Sequence, residues 1–235
     1  MKLPIRIAAA LVALCVAAGD VAARDEPAGS DAYTYSLGQY RPQFTPPRPG
    51  TYELPEIGNV ADHPLVDAQG KRTTLRQVLG RRLAVVSFIY ASCSDTTGCP
   101  MSTSVLHHLD SQLAADRSLA RDVALVTVSF DPEHDTARLA AMQQMRAAGS
   151  TWRFVTAPDE HSLGGLLEDF GQTVTRLARA DGTWSGTYRH VLKVYLLDRE
   201  RRVRNIYSVG YLDPDLVLAD LKTLRLAEKK RSSLR

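Results

Sequence analysis

The chain has 235 residues, of which 44% are hydrophobic and 23% charged, and its formal net charge is +3. This is the composition of a globular protein, and the length allows one well-buried domain with additions rather than two large domains. So small a positive charge is not typical of a nucleic-acid-binding protein, so we expect no nucleic-acid partner.

The N-terminus has the layout of a secretory signal peptide. Lys2 and Arg6 precede an apolar stretch at 7–18, and small residues follow that are suited to cleavage, so we predict a signal peptide at 1–23. Because the apolar stretch is shorter than the roughly 20 residues that span a bilayer as a helix, we expect an exported, periplasmic protein. If the signal is not cleaved, the chain would instead be anchored at the outer face of the inner membrane.

A proline-rich segment follows the predicted signal. Residues 24–50 contain five prolines and few aliphatic side chains. Such a segment cannot bury enough apolar surface to offset the entropy lost on ordering, which predicts an extended linker. We expect the folded domain at 51–228 and a solvated basic tail at 229–235.

Apolar runs and helical periodicities alternate through the domain. In chain order we predict an N-terminal hairpin about 67–70, a helix at 75–79, a strand at 83–90, a helix from Pro100, a strand at 123–130, a helix capped by Asp135 and ending near Gly149, a strand at 152–156, a helix at 163–170, a strand at 174–177, strands at 191–197 and 203–209, and a helix from Pro214. Strands that are apolar on both faces and alternate with helices indicate an α/β fold with a mixed sheet covered on both sides.

Two cysteines remain after removal of the predicted signal, which contains Cys15. Cys93 and Cys99 lie between the predicted strand at 83–90 and the next helix. Exposed amides and the positive end of the helix dipole favour a thiolate there, and both redox chemistry and soft-metal binding need that anion. A disulfide closing so short a loop would stabilise the fold by less than the roughly 3 kcal/mol expected for a 15-residue loop. We therefore interpret the pair as redox-active or metal-binding.

His190 is the candidate for a third ligand. It directly precedes the predicted strand at 191–197, and neighbouring strand ends would bring it towards the cysteines. Residues of this type at a strand start are also commonly only hydrogen-bonded or solvated, so both interpretations stay open from the residues alone. Met101 begins the apolar stripe of its helix and is interpreted as core. The other histidines are interpreted as hydrogen-bonded or solvated: His63, His107, His108, His134 and His161.

Four segments, in this order and spacing, resemble the Sco/SenC family of thioredoxin-like proteins, which handle copper during assembly of cytochrome c oxidase. The matching segments are Phe88-Ile89-Tyr90-Ala91-Ser92-Cys93, Cys99-Pro100, Val128-Ser129-Phe130-Asp131-Pro132-Glu133-His134-Asp135-Thr136, and His190-Val191-Leu192-Lys193-Val194-Tyr195-Leu196-Leu197-Asp198. The resemblance covers roughly residues 52–225.

The resemblance implies a thioredoxin-like mixed sheet flanked by helices and a copper site made by Cys93, Cys99 and His190. Thiolate and imidazole suit Cu(I), with Cu(II) as the alternative. It also implies that the chain delivers copper to an acceptor such as an oxidase subunit, with a thiol reductant protein as second partner. The domain would lie outside the cytoplasm and close to a membrane.

The chain departs from the family pattern between its cysteines. Five residues separate Cys93 from Cys99 where the pattern has three, and Ser94 stands where a proline commonly follows the first cysteine. The departure keeps an alternative open, namely a periplasmic thiol–disulfide oxidoreductase in which the cysteines are the redox pair. A third hypothesis is an interaction module in which the pair is only a clasp. We expect a binding and delivery protein rather than an enzyme.

Overall fold

The computed structural model describes residues 44–93, 98–146 and 150–233, apart from the side chain of residue 232. The predicted signal peptide and the greater part of the predicted linker, residues 24–43, lie outside the described residues. Within the described ranges, no helix is both long and apolar enough to cross a lipid bilayer.

Helices and strands alternate through the described ranges. The strands are β1 (Gly58–Asn59), β2 (Pro64–Asp67), β3 (Arg72–Thr74), β4 (Leu83–Ile89), β5 (Val123–Ser129), β6 (Trp152–Thr156), β7 (Val174–Ala178), β8 (Trp184–His190), β9 (Val194–Leu197) and β10 (Arg202–Tyr207). The helices are α1 (Leu75–Leu79), α2 (Gly98–Ala115), α3 (Arg117–Asp122), α4 (Thr136–Gln144), α5 (Glu160–Asp169) and α6 (Pro214–Ser233).

Eight strands form one mixed sheet in the order β1-β10-β9-β4-β5-β6-β2-β3. The central strands β4, β5 and β6 are parallel, whereas β9 runs antiparallel to β4 and β2 antiparallel to β6. The predicted N-terminal hairpin is present as β2 and β3. Strands β7 and β8 form a separate antiparallel pair. The predicted α/β class with a mixed sheet is confirmed.

Strands β4 and β5 are buried on both faces along their whole length, as their largely apolar sequences predict. Leu83 and Val85 of β4 pack into a core with α2, α3, α4 and α6, while Ala84 and Val86 pack into a second core with α1, α5 and the β7–β8 pair. Because β4 runs parallel to β5, the carboxyl ends of these two strands lie at the same edge of the sheet, and the chain leaves β4 there.

Three predicted helix boundaries differ from the structure. Helix α2 begins at Gly98, so Pro100 is its third residue rather than its first; the missing N–H still costs nothing, because the first four helical N–H groups have no intrahelical acceptor. Helix α4 ends at Gln144, before the predicted end, and residues 147–149 lie outside the described residues. Helix α5 begins three residues early because the Asp159 carboxylate accepts the N–H of Ser162.

The position of His190 differs most from the prediction. The strand predicted at 191–197 begins only at Val194, and His190 is the last residue of β8, opposite Val174. The apolar residues Val191 and Leu192 favoured an early strand start, but the chain between β8 and β9 has no ladder partner. His190 is therefore held by a hairpin outside the main sheet.

Three elements of the structure were not predicted from the sequence. They are strand β1, helix α3, which Asp116 caps with its carboxylate, and strand β8. Helix α6 continues through residues 229–233, part of the predicted tail, where Lys229, Lys230 and Arg231 are exposed.

Candidate metal centre

The turn after β4 places Cys93. The Cys93 N–H donates to the Tyr90 carbonyl at 3.2 Å, closing a tight turn at the carboxyl end of the strand. The Phe130 N–H donates to the Ile89 carbonyl at 2.9 Å, which ties this turn to the end of β5. Cys93 is half-buried at the point where the turn meets solvent.

Helix α2 places Cys99. It is the second residue of the helix and is buried, with 7% of its surface exposed. The amides of a first helical turn have no intrahelical acceptors and carry partial positive charge, so the position favours an anionic sulfur. Its side chain belongs to the core cluster that also contains Tyr90 and Phe130.

Two aromatic rings orient the imidazole of His190. The ring centroids of Phe130 and Tyr90 lie 5.1 and 5.8 Å from that of His190, with interplanar angles of 58° and 86°. Nε2 of His190 lies 3.9 Å from Sγ of Cys99. The packing therefore directs one ring nitrogen of this half-buried histidine at the cysteines.

The three candidate side chains converge. One ligand atom from each of Cys93, Cys99 and His190 lies within 4.8 Å of the other two. Across the described ranges, no other group of three or more His, Cys, Asp or Glu residues is arranged to hold a metal ion. The two sulfurs are therefore close together, although five residues separate the cysteines in the sequence.

Tyr90 adds a polar group to this cluster. Burial, followed by the charge of Cys93 and a hydrogen bond to it, raises the pKa of Tyr90 to about 12. The phenol is therefore protonated at neutral pH and donates a hydrogen bond to the Cys93 sulfur. A hydrogen bond to the charged form of a group favours that form, so Tyr90 stabilises a Cys93 thiolate.

A depression of about 510 Å³ opens beside the two cysteines. Its lining also includes Met142 of α4 and His107, which lies two helical turns beyond Cys99 in α2. His107 accepts a hydrogen bond from Nη1 of Arg146 and lies edge-on to Trp152. Burial and the Arg146 cation lower the pKa of His107. This histidine is thus engaged with other partners, although it lines the same depression.

Comparison with known proteins decides the family. The SCO1/SenC family model matches residues 56–225. The chain belongs to the SCO1/SenC family. No curated protein sequence matches this SCO1/SenC chain significantly.

Solved Sco structures share the fold. Apo Sco1 from Thermus thermophilus has a TM-score of 0.60 at 22% identity, over 77% of this chain and 98% of that one. ScoI from Bradyrhizobium japonicum, solved with copper bound, has a TM-score of 0.55 at 22% identity, over 70% and 98%. BsSco, described with a disulfide switch and as a member of the Sco family of cytochrome c oxidase assembly proteins, has a TM-score of 0.54 at 18% identity, over 73% and 97%. The predicted thioredoxin-like fold is confirmed.

The remaining candidate residues of this SCO1/SenC chain lie outside the cluster of three. Met101 is buried in the core, as predicted. Nε2 of His63 lies 2.7 Å from Oδ2 of Asp169, and Nδ1 of His134 lies 2.8 Å from Oδ1 of Asp131, so both histidines are hydrogen-bonded.

Sequence reasoning missed two residues that shape the site. The sequence places Tyr90 and Phe130 at the ends of two strands and within the segments that resemble the Sco/SenC family, without a role at the site, yet both pack on His190. Their positions directly after two adjacent parallel strands are the signal that could have found them, because the carboxyl ends of such strands share an edge of the sheet.

Proposed function

We propose that this SCO1/SenC chain is an exported copper-binding protein that delivers copper to an oxidase subunit or another copper protein. Cys93, Cys99 and His190 would hold the ion. The observation that carries the proposal is the convergence of their ligand atoms to within 4.8 Å of one another.

The spacing suits a three-coordinate ion. Metal bonds to histidine nitrogen and cysteine sulfur are about 2.0 to 2.3 Å long, so a trigonal site separates its ligand atoms by roughly 3.5 to 4 Å. The 3.9 Å between Sγ of Cys99 and Nε2 of His190 already falls in this range. The widest separation, at most 4.8 Å, requires only a small rotation of a side chain.

The donor set favours copper in its reduced state. Thiolates are soft ligands that select Cu(I), whereas hard cations prefer oxygen. ScoI from Bradyrhizobium japonicum, which shares the fold, was solved with copper bound. Cu(I) is therefore the cargo that the proposal names, with Cu(II) as the alternative oxidation state.

Partners and location follow from the same proposal. Copper leaves such a site by ligand exchange with an acceptor, and a thiol reductant protein keeps the cysteines able to bind, because a disulfide offers no thiolate. The N-terminal pattern at 1–23 supports export to the periplasm. Retention of this segment would hold the domain at the outer face of the inner membrane.

Copper titration tests the proposal. The reduced protein should bind one Cu(I) in competition with a chromophoric Cu(I) chelator, and Cys93→Ser or Cys99→Ser should lose that binding. His190→Ala should weaken it at least tenfold, which corresponds to about 1.4 kcal/mol. His107→Ala is the matched control, since His107 lines the depression beside the cysteines without joining the cluster. Equal affinities for wild type and His190→Ala would remove His190 from the site.

A thiol–disulfide oxidoreductase is the second candidate function. The observation that favours it is the difference in burial of the pair, with Cys93 half-buried at the surface and Cys99 buried behind it. This arrangement suits an attacking and a resolving thiol. The enzyme would form a mixed disulfide with a partner that Cys99→Ser traps, and its turnover would not depend on His190.

A further inference from the structure

The buried carboxylate of Asp135 accepts hydrogen bonds that hold the turn carrying Cys93. Oδ2 of Asp135 accepts the backbone N–H of Ala91 at 2.7 Å and the hydroxyl of Ser129 at 2.5 Å. Ser129 ends β5 and Ala91 lies two residues before Cys93, so a single oxygen joins the two strand ends that border the site. Both Asp135 and Ser129 are fully buried.

From its position in the sequence, Asp135 is expected to cap helix α4. It lies at the N-cap position of α4, where an aspartate normally accepts an amide of the first helical turn. Its side chain makes no such bond and instead points back to the turn after β4. Its other oxygen, Oδ1, is buried without a hydrogen-bond partner among the described residues. The residue has thus exchanged helix capping for a contact to the cysteine turn.

The long cysteine spacing makes this contact consequential. Cys99 lies in α2, whereas Cys93 lies in the turn after β4, and five residues separate them in the sequence. A longer connecting segment allows its two ends a wider range of separations than a shorter one does. On the β4 side, this turn is held by the hydrogen bond from the Cys93 N–H to the Tyr90 carbonyl and by the bond from the Ala91 N–H to Asp135.

We propose that Asp135 is a positioning residue that fixes the turn at Ala91 and so preorganises the Cys93 sulfur against Cys99 and His190. The inference rests on the proposed copper site for its first readout, but it also applies to the cysteine pair alone. A single acceptor oxygen makes both bonds, and this oxygen, rather than the negative charge, holds the turn. An amide, which also has an acceptor oxygen, should therefore replace the carboxylate.

Two substitutions separate the acceptor from the charge. Asp135→Asn keeps a carbonyl oxygen for Ala91 and Ser129 and should retain wild-type Cu(I) affinity within about threefold. Asp135→Ala removes the acceptor and should weaken Cu(I) binding about tenfold, since loss of residues that orient metal ligands typically costs roughly ten- to a hundredfold in metal affinity. Asp135→Ser serves if the alanine variant does not fold, because serine caps α4 while its hydroxyl falls short of Ala91.

Asp220→Ala is the matched control for lost stability. Asp220 is an equally buried carboxylate that accepts the hydroxyls of Tyr52 and Tyr207 and the amide of Asn205, all outside the site. This variant should lower the urea midpoint and leave Cu(I) affinity unchanged. X-ray absorption at the copper edge adds a structural readout, with two sulfur neighbours in wild type and Asp135→Asn and fewer in Asp135→Ala.

A copper-free measurement keeps the two proposals distinguishable. In buffers of glutathione and glutathione disulfide, the two protein thiols give two electrons and two protons to one glutathione disulfide, forming the Cys93–Cys99 bond and two glutathione thiols. Asp135→Ala should lower this equilibrium constant about tenfold, because the turn no longer holds one thiol near the other. Absence of copper binding by wild type would overturn only the copper proposal. Equal constants for wild type and Asp135→Ala, or equal losses in Asp135→Asn and Asp135→Ala, would overturn the role of Asp135.

Discussion

The two ends of β4 use buried carboxylates in opposite ways. At the end away from the cysteines, Asp198 in the β9–β10 turn accepts the N–H groups of Glu200 and Arg202 and pairs with the guanidinium groups of Arg202 and Arg204 at 2.7 and 3.0 Å. At the cysteine end, Asp131 and Asp135 are buried to the same extent. Each of these two keeps one oxygen without a hydrogen-bond partner among the described residues.

The difference in pairing indicates that the carboxylate at the end away from the cysteines contributes more to stability than those at the cysteine end. A buried carboxylate that is fully paired holds its turn firmly, whereas an oxygen buried without a partner costs stability. Coulombic repulsion from Asp131 adds to the burial that raises the pKa of Asp135. Incomplete pairing at the cysteine end is what functional sites commonly show, since their side chains are arranged for a ligand rather than for stability.

The largest expected effect comes from the fully paired end. Asp198→Ala leaves two backbone N–H groups without their acceptor and removes one partner from each of two arginines, so we expect the unfolding free energy to fall by about 3 kcal/mol, as for other broken buried pairs. Urea denaturation measures the loss. Cu(I) affinity of the folded variant should equal that of wild type. A copper affinity that fell along with stability would show that the two ends are not independent.

An intermediate effect is expected at the cysteine end. Tyr90→Phe removes the hydroxyl that donates to Cys93, so the thiolate loses a hydrogen bond and the pKa of the Cys93 thiol should rise by about one unit, equivalent to roughly 1.4 kcal/mol. The rate of alkylation against pH, measured in a Cys99→Ser background, reports this value. Tyr188→Phe is the control: Tyr188 packs on Tyr90 with ring centroids 5.1 Å apart, but its pKa is raised by burial and by Asp131. An equal shift in both variants would contradict a specific bond to Cys93.

The smallest effect concerns pH and a contact far from the site. Burial and a hydrogen bond to Asp220 raise the pKa of Tyr52 from 10.0 to about 12. Because the folded pKa is the higher one, this stabilisation is complete below pH 10 and is lost as pH rises through 12. Tyr52→Phe should therefore cost about 1 kcal/mol at pH 8, and the difference from wild type should shrink towards pH 12. Urea midpoints across this range measure it, and a difference that stayed constant with pH would argue against the bond to Asp220.

Much of this architecture could be predicted because its signals are local. The strands β4 and β5 are continuous apolar runs, and α2 shows its buried stripe of Met101, Val105 and Leu109 in the sequence. Short polar elements were missed because nothing local separates them from loops. Strand β8 is one of these, since its ladder depends on pairing with β7.

The sequence by itself determined the α/β class, the delivery of two cysteines from a buried strand to a helix start, and the family, because apolar periodicity and short motifs are written in neighbouring residues. Only the tertiary structure decided that His190 reaches the cysteines from the end of a hairpin, and that Asp135 supports the cysteine turn instead of capping its helix. The physical reason is that these contacts join segments 44 and 91 residues apart. Such contacts depend on which strand ends the sheet brings together. The local sequence around each contacting residue does not determine that arrangement.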